Sequence, residues 1–264
     1  MRVFVFTYDR FNSITTPIEL EKSGADYLVL CHTPEQRDQF IAAGRVKPDR
    51  LVATLVPKGL AFNRNAALDM MQPGEWAVFL VDDWLKCTEL DCYDQQTTGV
   101  LPVKQGRSTT LWNRRFRNEV PMQKFLQRAE EAAAEAERRG LALAGFAGND
   151  NALFRKVKFK TWTLADGRAW VVKKTHLRFD ANAQMVDDVA WTLANLVEFG
   201  GVLVNQWILP YCSRYTSGSF GSKEQRLPQK LKECAYLVQK YKGLVKYAQK
   251  PGWPAGSHIK IIPV

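Results

Sequence analysis

The chain of 264 residues is 46% apolar and 24% charged, the balance of a globular protein large enough for one sizeable core. No segment approaches the ~20 consecutive apolar residues that cross a bilayer, which argues against a membrane protein. The formal charge of +10 is concentrated: residues 104–178 hold 17 Lys/Arg against 7 Asp/Glu, whereas residues 1–103 hold 10 against 14. Such a division predicts a first third that handles something with a metal and a middle that meets a polyanion, although a solvated basic face has the same signature.

The opening run Met1-Arg2-Val3-Phe4-Val5-Phe6 enters a strand at once without the layout of a signal peptide. The five cysteines (Cys31, Cys87, Cys92, Cys212 and Cys234) are odd in number and lack metal-ligand spacing. Together these features predict reduced thiols and a cytoplasmic setting.

The first strand breaks at a polar loop, Asp9 to Ser13, and Thr7, Tyr8 and Arg10 at that break are candidates for holding a base or phosphate. A helix over residues 14–23, a strand over 27–31, a helix from Thr33 closing at Gly44 and a strand over 51–56 follow. That alternation predicts a largely parallel sheet between two helical layers. Gly59 then leads into a helix with Arg64 and Asn65 in its first turn, where free backbone N–H groups and a guanidinium make an anion cradle. An ordinary capped helix with Arg64 paired to Asp69 would have the same sequence.

Trp76 to Val81 is continuously apolar after Pro73-Gly74, as in a strand buried on both faces, and it ends in Asp82 and Asp83. Two carboxylates there either meet water at the sheet rim or hold a cation. Residues 92–107 are polar and turn-rich, fit for a mobile loop. Arg114, Arg115 and Arg117 alternate with aromatics, a composition suited to exposed bases and their phosphates. A helix is predicted from Pro121 to Arg139. Arg155, Lys156, Lys158 and Lys160 alternate with apolar residues, and Asp166-Gly167 suggests a turn into Ala169 to His176, so a basic hairpin carrying Lys173 and Lys174 is predicted.

Val186, Val189, Ala190, Leu193, Leu196 and Val197 repeat at helical spacing up to Gly200-Gly201. Asp187 and Asp188 open that helix, where the macrodipole alone would favour them. Residues 211–226 form a glycine- and serine-rich loop containing Arg214, suited to closing over phosphate or acceptor. A last helix is predicted over residues 228–247, and His258 follows it.

Three strands, the loop and helix Gly59 to Leu68, then an apolar strand ending in adjacent aspartates resemble the nucleotide-sugar half of a GT-A glycosyltransferase. The family writes its acidic pair Asp-x-Asp, whereas this chain reads Val81-Asp82-Asp83-Trp84. The resemblance implies an α/β three-layer sandwich with a mostly parallel sheet over residues 1–210, in which residues 1–103 are the donor half and 104–210 the acceptor half. Residues 211–264 would pack on the same domain.

It further implies Mn²⁺ or Mg²⁺ at Asp83 and Asp82 with His258 as third ligand, Asp188 as catalytic base, and Asp187 orienting the acceptor. The donor would be held by Thr7, Tyr8, Arg10, Gly59, Arg64, Asn65 and Asp82. With its basic middle the chain resembles the TET/JBP-associated glycosyltransferases of phages. That likeness implies transfer of glucose from UDP-glucose to 5-hydroxymethylcytosine or another hydroxymethylated pyrimidine in DNA, in the host cell's cytoplasm if the chain is phage-encoded; a monomer is a separate expectation. Transfer to a glycan or small molecule, or nucleic-acid binding without catalysis, are the competing expectations.

Overall fold

Residue alternation within β1 (Arg2–Phe6) sets the layers of this computed structural model, which describes residues 1–90, 116–149, 155, 157–213 and 223–262. Val3 and Val5 face one side, Phe4 and Phe6 the other, and all four are buried, so both faces of the sheet must be covered. β2 (Tyr27–Cys31), β3 (Leu51–Ala53) and β4 (Trp76–Val81) run parallel to β1 in the order β3-β2-β1-β4. Between them come α1 (Thr16–Ser23), α2 (Pro34–Ala42) and α3 (Leu60–Asp69). Pro34 in the first turn of α2 behind Thr33, whose hydroxyl accepts from the Gln36 amide, and Gly24 closing α1 at φ 68° fulfil the expected boundary chemistry.

After β4 the chain turns out of the main sheet. β5 (Trp84–Leu90) pairs antiparallel with β6 (Phe116–Val120) and later with β11 (Ile208–Cys212) in a separate three-stranded sheet. The amphipathic α4 (Met122–Arg138) leads into β7 (Leu143–Phe146). β8 (Phe159–Lys160) lies at the sheet edge, and β9 (Ala169–Lys173) inserts antiparallel between β4 and β7. α5 (Asp187–Phe199) ends at Gly200 with φ 71° and returns the chain to β10 (Leu203–Asn205), parallel to β7.

The eight strands therefore run β3-β2-β1-β4-β9-β7-β10-β8, with only β8 and β9 opposed to the rest. Leu20, Phe40 and Phe125 carry α1, α2 and α4 onto one face, while Leu68, Leu193 and Leu237 carry α3, α5 and the final helix α6 (Lys223–Lys240) onto the other. This is an α/β sandwich with a mostly parallel sheet, as the sequence suggested. The hairpin of β12 (Val245–Tyr247) and β13 (Ile259–Ile261) completes the fold. Among the described residues no helix is long and apolar enough to cross a membrane, and the four described cysteines are free.

Two expected elements are corrected. β8 pairs with β10, Lys160 against Val204, so residues 153–176 are not a β-hairpin. The Asp-Gly turn is used differently: the Asp166 carboxylate holds Arg168, at 2.6 and 3.0 Å, and Gly167 closes against Asp188. The last helix also stops at Lys240, because the buried Val245 turns inward in a strand opposite Ile261.

Candidate active site at the carboxyl end of the central strand

β4 delivers Asp82 and Asp83 to the rim where the parallel strands end, the place an open α/β sheet offers to ligands. The turn between β4 and β5 is held by α1. Thr15 and Thr16 donate their amides to the Asp82 carbonyl at 3.0 and 3.2 Å. The buried Thr16 hydroxyl donates to the Val81 carbonyl at 2.6 Å and accepts from the Trp84 amide at 3.1 Å. From the far side the Ser213 amide donates to the Asp83 carbonyl at 3.1 Å. With its backbone fixed this way, the acidic pair has little freedom of direction.

The side chains are held as firmly. Asp82 Oδ2 accepts from the Thr7 hydroxyl at 2.7 Å, and Oδ1 accepts from Arg10 at 2.8 Å. The same guanidinium nitrogen lies 2.6 Å from Asp83 Oδ2. Burial raises the Asp82 carboxyl to about 6, against the opposing pull of Arg10 and the Thr7 hydrogen bond. Burial alone would lower the Arg10 guanidinium, but the two carboxylates outweigh it and raise it.

The pair opens into a cavity of about 520 Å³. Of the residues expected at the donor, Thr7, Tyr8, Arg10, Gly59, Arg64 and Asp82 line it, together with Asp83. Gly59 has φ 144°, a backbone that side chains rarely adopt, and a Cβ there would collide with the Gln184 amide. Lys58 lies over the Tyr8 ring at 4.5 Å, and Tyr8 packs edge-on to His32 at 5.6 Å. Burial lowers the His32 pKa, and its Nε2 sits 3.3 Å from the Asn63 amide nitrogen, so the ring there accepts. Glu233 of α6 closes another wall, accepting from the Met185 amide at 2.6 Å and from Gln229 at 2.9 Å.

Asp187 and Asp188, expected as orienting residue and base, do not line the cavity; they lie behind the wall that Arg64 forms. Arg64, which lines the cavity, is buried in an ion pair with Asp187 and stacks on Trp170 at 4.3 Å. Burial pushes the Arg64 guanidinium down, and the Asp188 charge opposes it. Asp188 adjoins Gly167, whose added Cβ would stand 3.3 Å from that of Asp188. Burial and the nearby Asp166 charge raise the Asp188 carboxyl to about 6, although its Oδ1 accepts from the Val189 amide at 2.8 Å and part of it stays open. Asp166 in turn fixes Arg168, which lines the cavity beside Asp82 and Asp83. Arg64, held by Asp187, and Arg168, held by Asp166, thus share the cavity lining with Asp82 and Asp83.

Other expected site residues lie elsewhere. Asn65 uses its amide on backbone, donating to the Phe179 carbonyl at 3.0 Å and accepting from the Phe179 amide at 2.8 Å, so it fastens a loop and does not line the cavity. His258 Nε2 lies 3.0 Å from Lys230 Nζ, which makes the ring the acceptor, and it too is absent from the cavity lining. Among the described residues no three of His, Cys, Asp and Glu are grouped to hold a metal. Three of the four oxygens of Asp82 and Asp83 are already engaged, and the cation seated between them is Arg10. These residues do not fit a divalent-metal site, which needs several open oxygens around one point.

The basic residues divide. Lys173 lies opposite Trp76, at the start of β4 and away from the aspartates, and pairs with Glu137 at 2.7 Å. Lys174 sits 3.6 Å from Asp69, Lys158 3.8 Å from Glu131, and Arg155 is held by Gln206. Arg114, Arg115, Lys156 and Arg214 lie outside the described residues, as does the side chain of Arg117. Sequence reasoning missed Thr15, Thr16, Asp166, Arg168, His32 and Glu233; of these, only the Asp-Gly step carried a local signal, and it was read as a turn. Neither the models of known protein families nor the curated proteins contain a match to this chain.

Proposed function

We propose that this chain is a glycosyltransferase that takes its sugar from a nucleotide diphosphate donor in the cavity beneath Asp82 and Asp83. The observation that carries the reading is the placement of that acidic pair at the end of β4, in a cavity whose Arg64 reaches back to Asp187 at the start of α5. The mostly parallel sheet between two helical layers is compatible with a GT-A fold. Tyr8, His32 and Lys58 would receive the nucleobase and ribose, and Arg10, Arg64 and Arg168 the two phosphates.

In this reading Asp188 is the base. Burial makes its carboxylate a better proton acceptor, and at neutral pH it remains mostly ionised. It takes the proton of an acceptor hydroxyl as that oxygen attacks the anomeric carbon. The bond to the nucleoside diphosphate breaks with its electron pair, and the configuration inverts. Arginines already ordered at the phosphates stabilise the charge that develops on the leaving group.

For the acceptor we propose 5-hydroxymethylcytosine or a related base in DNA, flipped from the duplex to reach the site, with UDP-glucose as donor. The support is the basic composition of residues 104–178. A glycan or small-molecule acceptor is the second reading, and the pairing of Lys173 and Lys174 with acids away from the cavity favours it.

The test is incubation with UDP-glucose and duplex DNA containing 5-hydroxymethylcytosine, in Mn²⁺ and in EDTA, with nucleoside masses read afterwards. A hexose increment that disappears in Asp188→Asn supports the DNA reading. UDP binding and donor hydrolysis without any DNA product shift the acceptor to the second reading. Absence of UDP binding removes the donor site altogether.

A further inference from the structure

We propose that Arg10 stands where a divalent cation would, so that the cavity neutralises a bound diphosphate with side-chain cations and needs no metal. The inference rests on the donor reading for the identity of the anion, but the state of the acidic pair can be tested without a nucleotide.

One guanidinium nitrogen of Arg10 reaches Asp82 Oδ1 at 2.8 Å and Asp83 Oδ2 at 2.6 Å. A positive group between two adjacent carboxylates does what an ion would do there: it cancels their mutual repulsion and presents positive charge towards the cavity. Its place is built into the loop after β1. The Arg10 carbonyl accepts from the amides of Ser13 and Ile14, both at 3.1 Å, which closes a tight turn. Asp9 just before it is held at φ 51° by the Gln36 side-chain amide, at 2.9 Å. The Arg10 side chain is 17% exposed, so it is packed on the acids and not extended into water.

The rest of the lining matches this assignment. Five cationic side chains (Arg10, Lys58, Arg64, Arg168 and Arg226) and three carboxylates (Asp82, Asp83 and Glu233) line the cavity, and Arg64 and Arg168 are held by Asp187 and Asp166 outside it. A diphosphate entering such a cavity meets guanidinium donors already held in place before any metal is added. Arg168 is set for that task by three fixed contacts: Asp166, the Pro210 carbonyl at 2.8 Å and the Gly148 carbonyl at 2.6 Å. Arginine is suited to the role because its planar donors can hold a carboxylate on one edge and a phosphate on another.

The experiment titrates Mn²⁺ alone into the full chain and follows free Mn²⁺ by its paramagnetic resonance signal. Wild type and Asp83→Asn should bind it equally weakly, within about twofold, whereas Arg10→Ala, which uncovers both carboxylates, should bind it about tenfold more tightly. UDP affinity measured by calorimetry should be the same within about twofold in EDTA and in Mn²⁺ for wild type, and should fall about tenfold in Arg10→Ala in EDTA. A wild-type Mn²⁺ site that Asp83→Asn weakens by about tenfold overturns the proposal, as does a comparable tightening of UDP by Mn²⁺. A folded Arg10→Ala chain that gains no Mn²⁺ affinity also overturns it. Should Arg10→Ala fail to fold, the comparison of wild type with Asp83→Asn decides by itself.

Discussion

Removing the Arg64 charge tests whether the wall between the two acidic pairs is a strut of the fold as well as part of the cavity. The Arg64 side chain is 3% exposed and its partner Asp187 17%. Breaking one side of a buried pair costs about 3–5 kcal/mol, because the remaining charge stays desolvated. Asp187 retains some access to water, which favours the lower end, about 3 kcal/mol. Stacking on Trp170 at 4.3 Å adds about 1 kcal/mol if the side chain is truncated to alanine, but methionine retains much of the apolar contact. Arg64→Met should therefore lose about 3 kcal/mol, and Asp187→Asn about 2 kcal/mol, since the amide oxygen still accepts a hydrogen bond. The double variant removes both charges and should lose about 3 kcal/mol, well below the sum, for a coupling of about 2 kcal/mol. Urea unfolding followed by tryptophan emission reads all four chains, because Trp170 lies under the guanidinium. A loss below about 1 kcal/mol for Arg64→Met, or additivity in the double variant, would refute the buried-pair argument.

The raised Asp188 carboxyl gives two linked outcomes. Transfer should rise with pH through about 6 as the base ionises, and Asp188→Asn should lower kcat about 10²–10⁴-fold with UDP affinity retained; a flat pH–rate profile would remove the base assignment. For stability the sign is opposite, since the native chain holds this proton more tightly than the unfolded one. The contribution is present below the ordinary aspartate pKa and is lost as pH rises through about 6. The full displacement corresponds to about 3 kcal/mol and part of the carboxyl stays open, so Asp188→Asn should be about 1–2 kcal/mol more stable than wild type near neutral pH, with the gap narrowing towards about pH 4. Thr16→Val should cost about 2 kcal/mol in urea unfolding, because the Val81 carbonyl and the Trp84 amide lose the hydroxyl that joins them; a change under about 0.5 kcal/mol would mean water replaces it. If the chain binds DNA, Lys173→Ala and Lys174→Ala should leave the slope of log affinity against log salt unchanged, whereas a fall of about one per lysine would place phosphates at the start of β4.

What the sequence disclosed and what it withheld follow from the range of each interaction. The layers were legible because alternation in β1 and the unbroken apolar run of β4 are local patterns with one packing solution. The positions of Asp82, Asp83 and Gly59 were legible for the same reason, since each stands at a boundary between an apolar run and a turn, whereas Arg64, expected in the first turn of α3, lies in its second. The partner of a charge is not a local property. Arg64 had Asp69 five residues away on its own helix, yet it pairs with Asp187, because α5 packs on the same face of the sheet and desolvates both groups. Asp69, left at the surface, is taken by Arg178 and by Lys174, the latter a cation expected to face a polyanion. The same reasoning separates His258 from the aspartates: the pairing of β12 with β13 and the closeness of Lys230 decide where it sits, and neither can be inferred from a lone histidine near the end of a chain. It also explains why Arg10 was placed at the donor but not between the acids. Residues 9–13 announced only a polar turn, and the seventy-odd residues separating Arg10 from Asp82 are brought together by the parallel pairing of β1 with β4, Phe6 against Val81, which fixes the guanidinium beside both carboxylates.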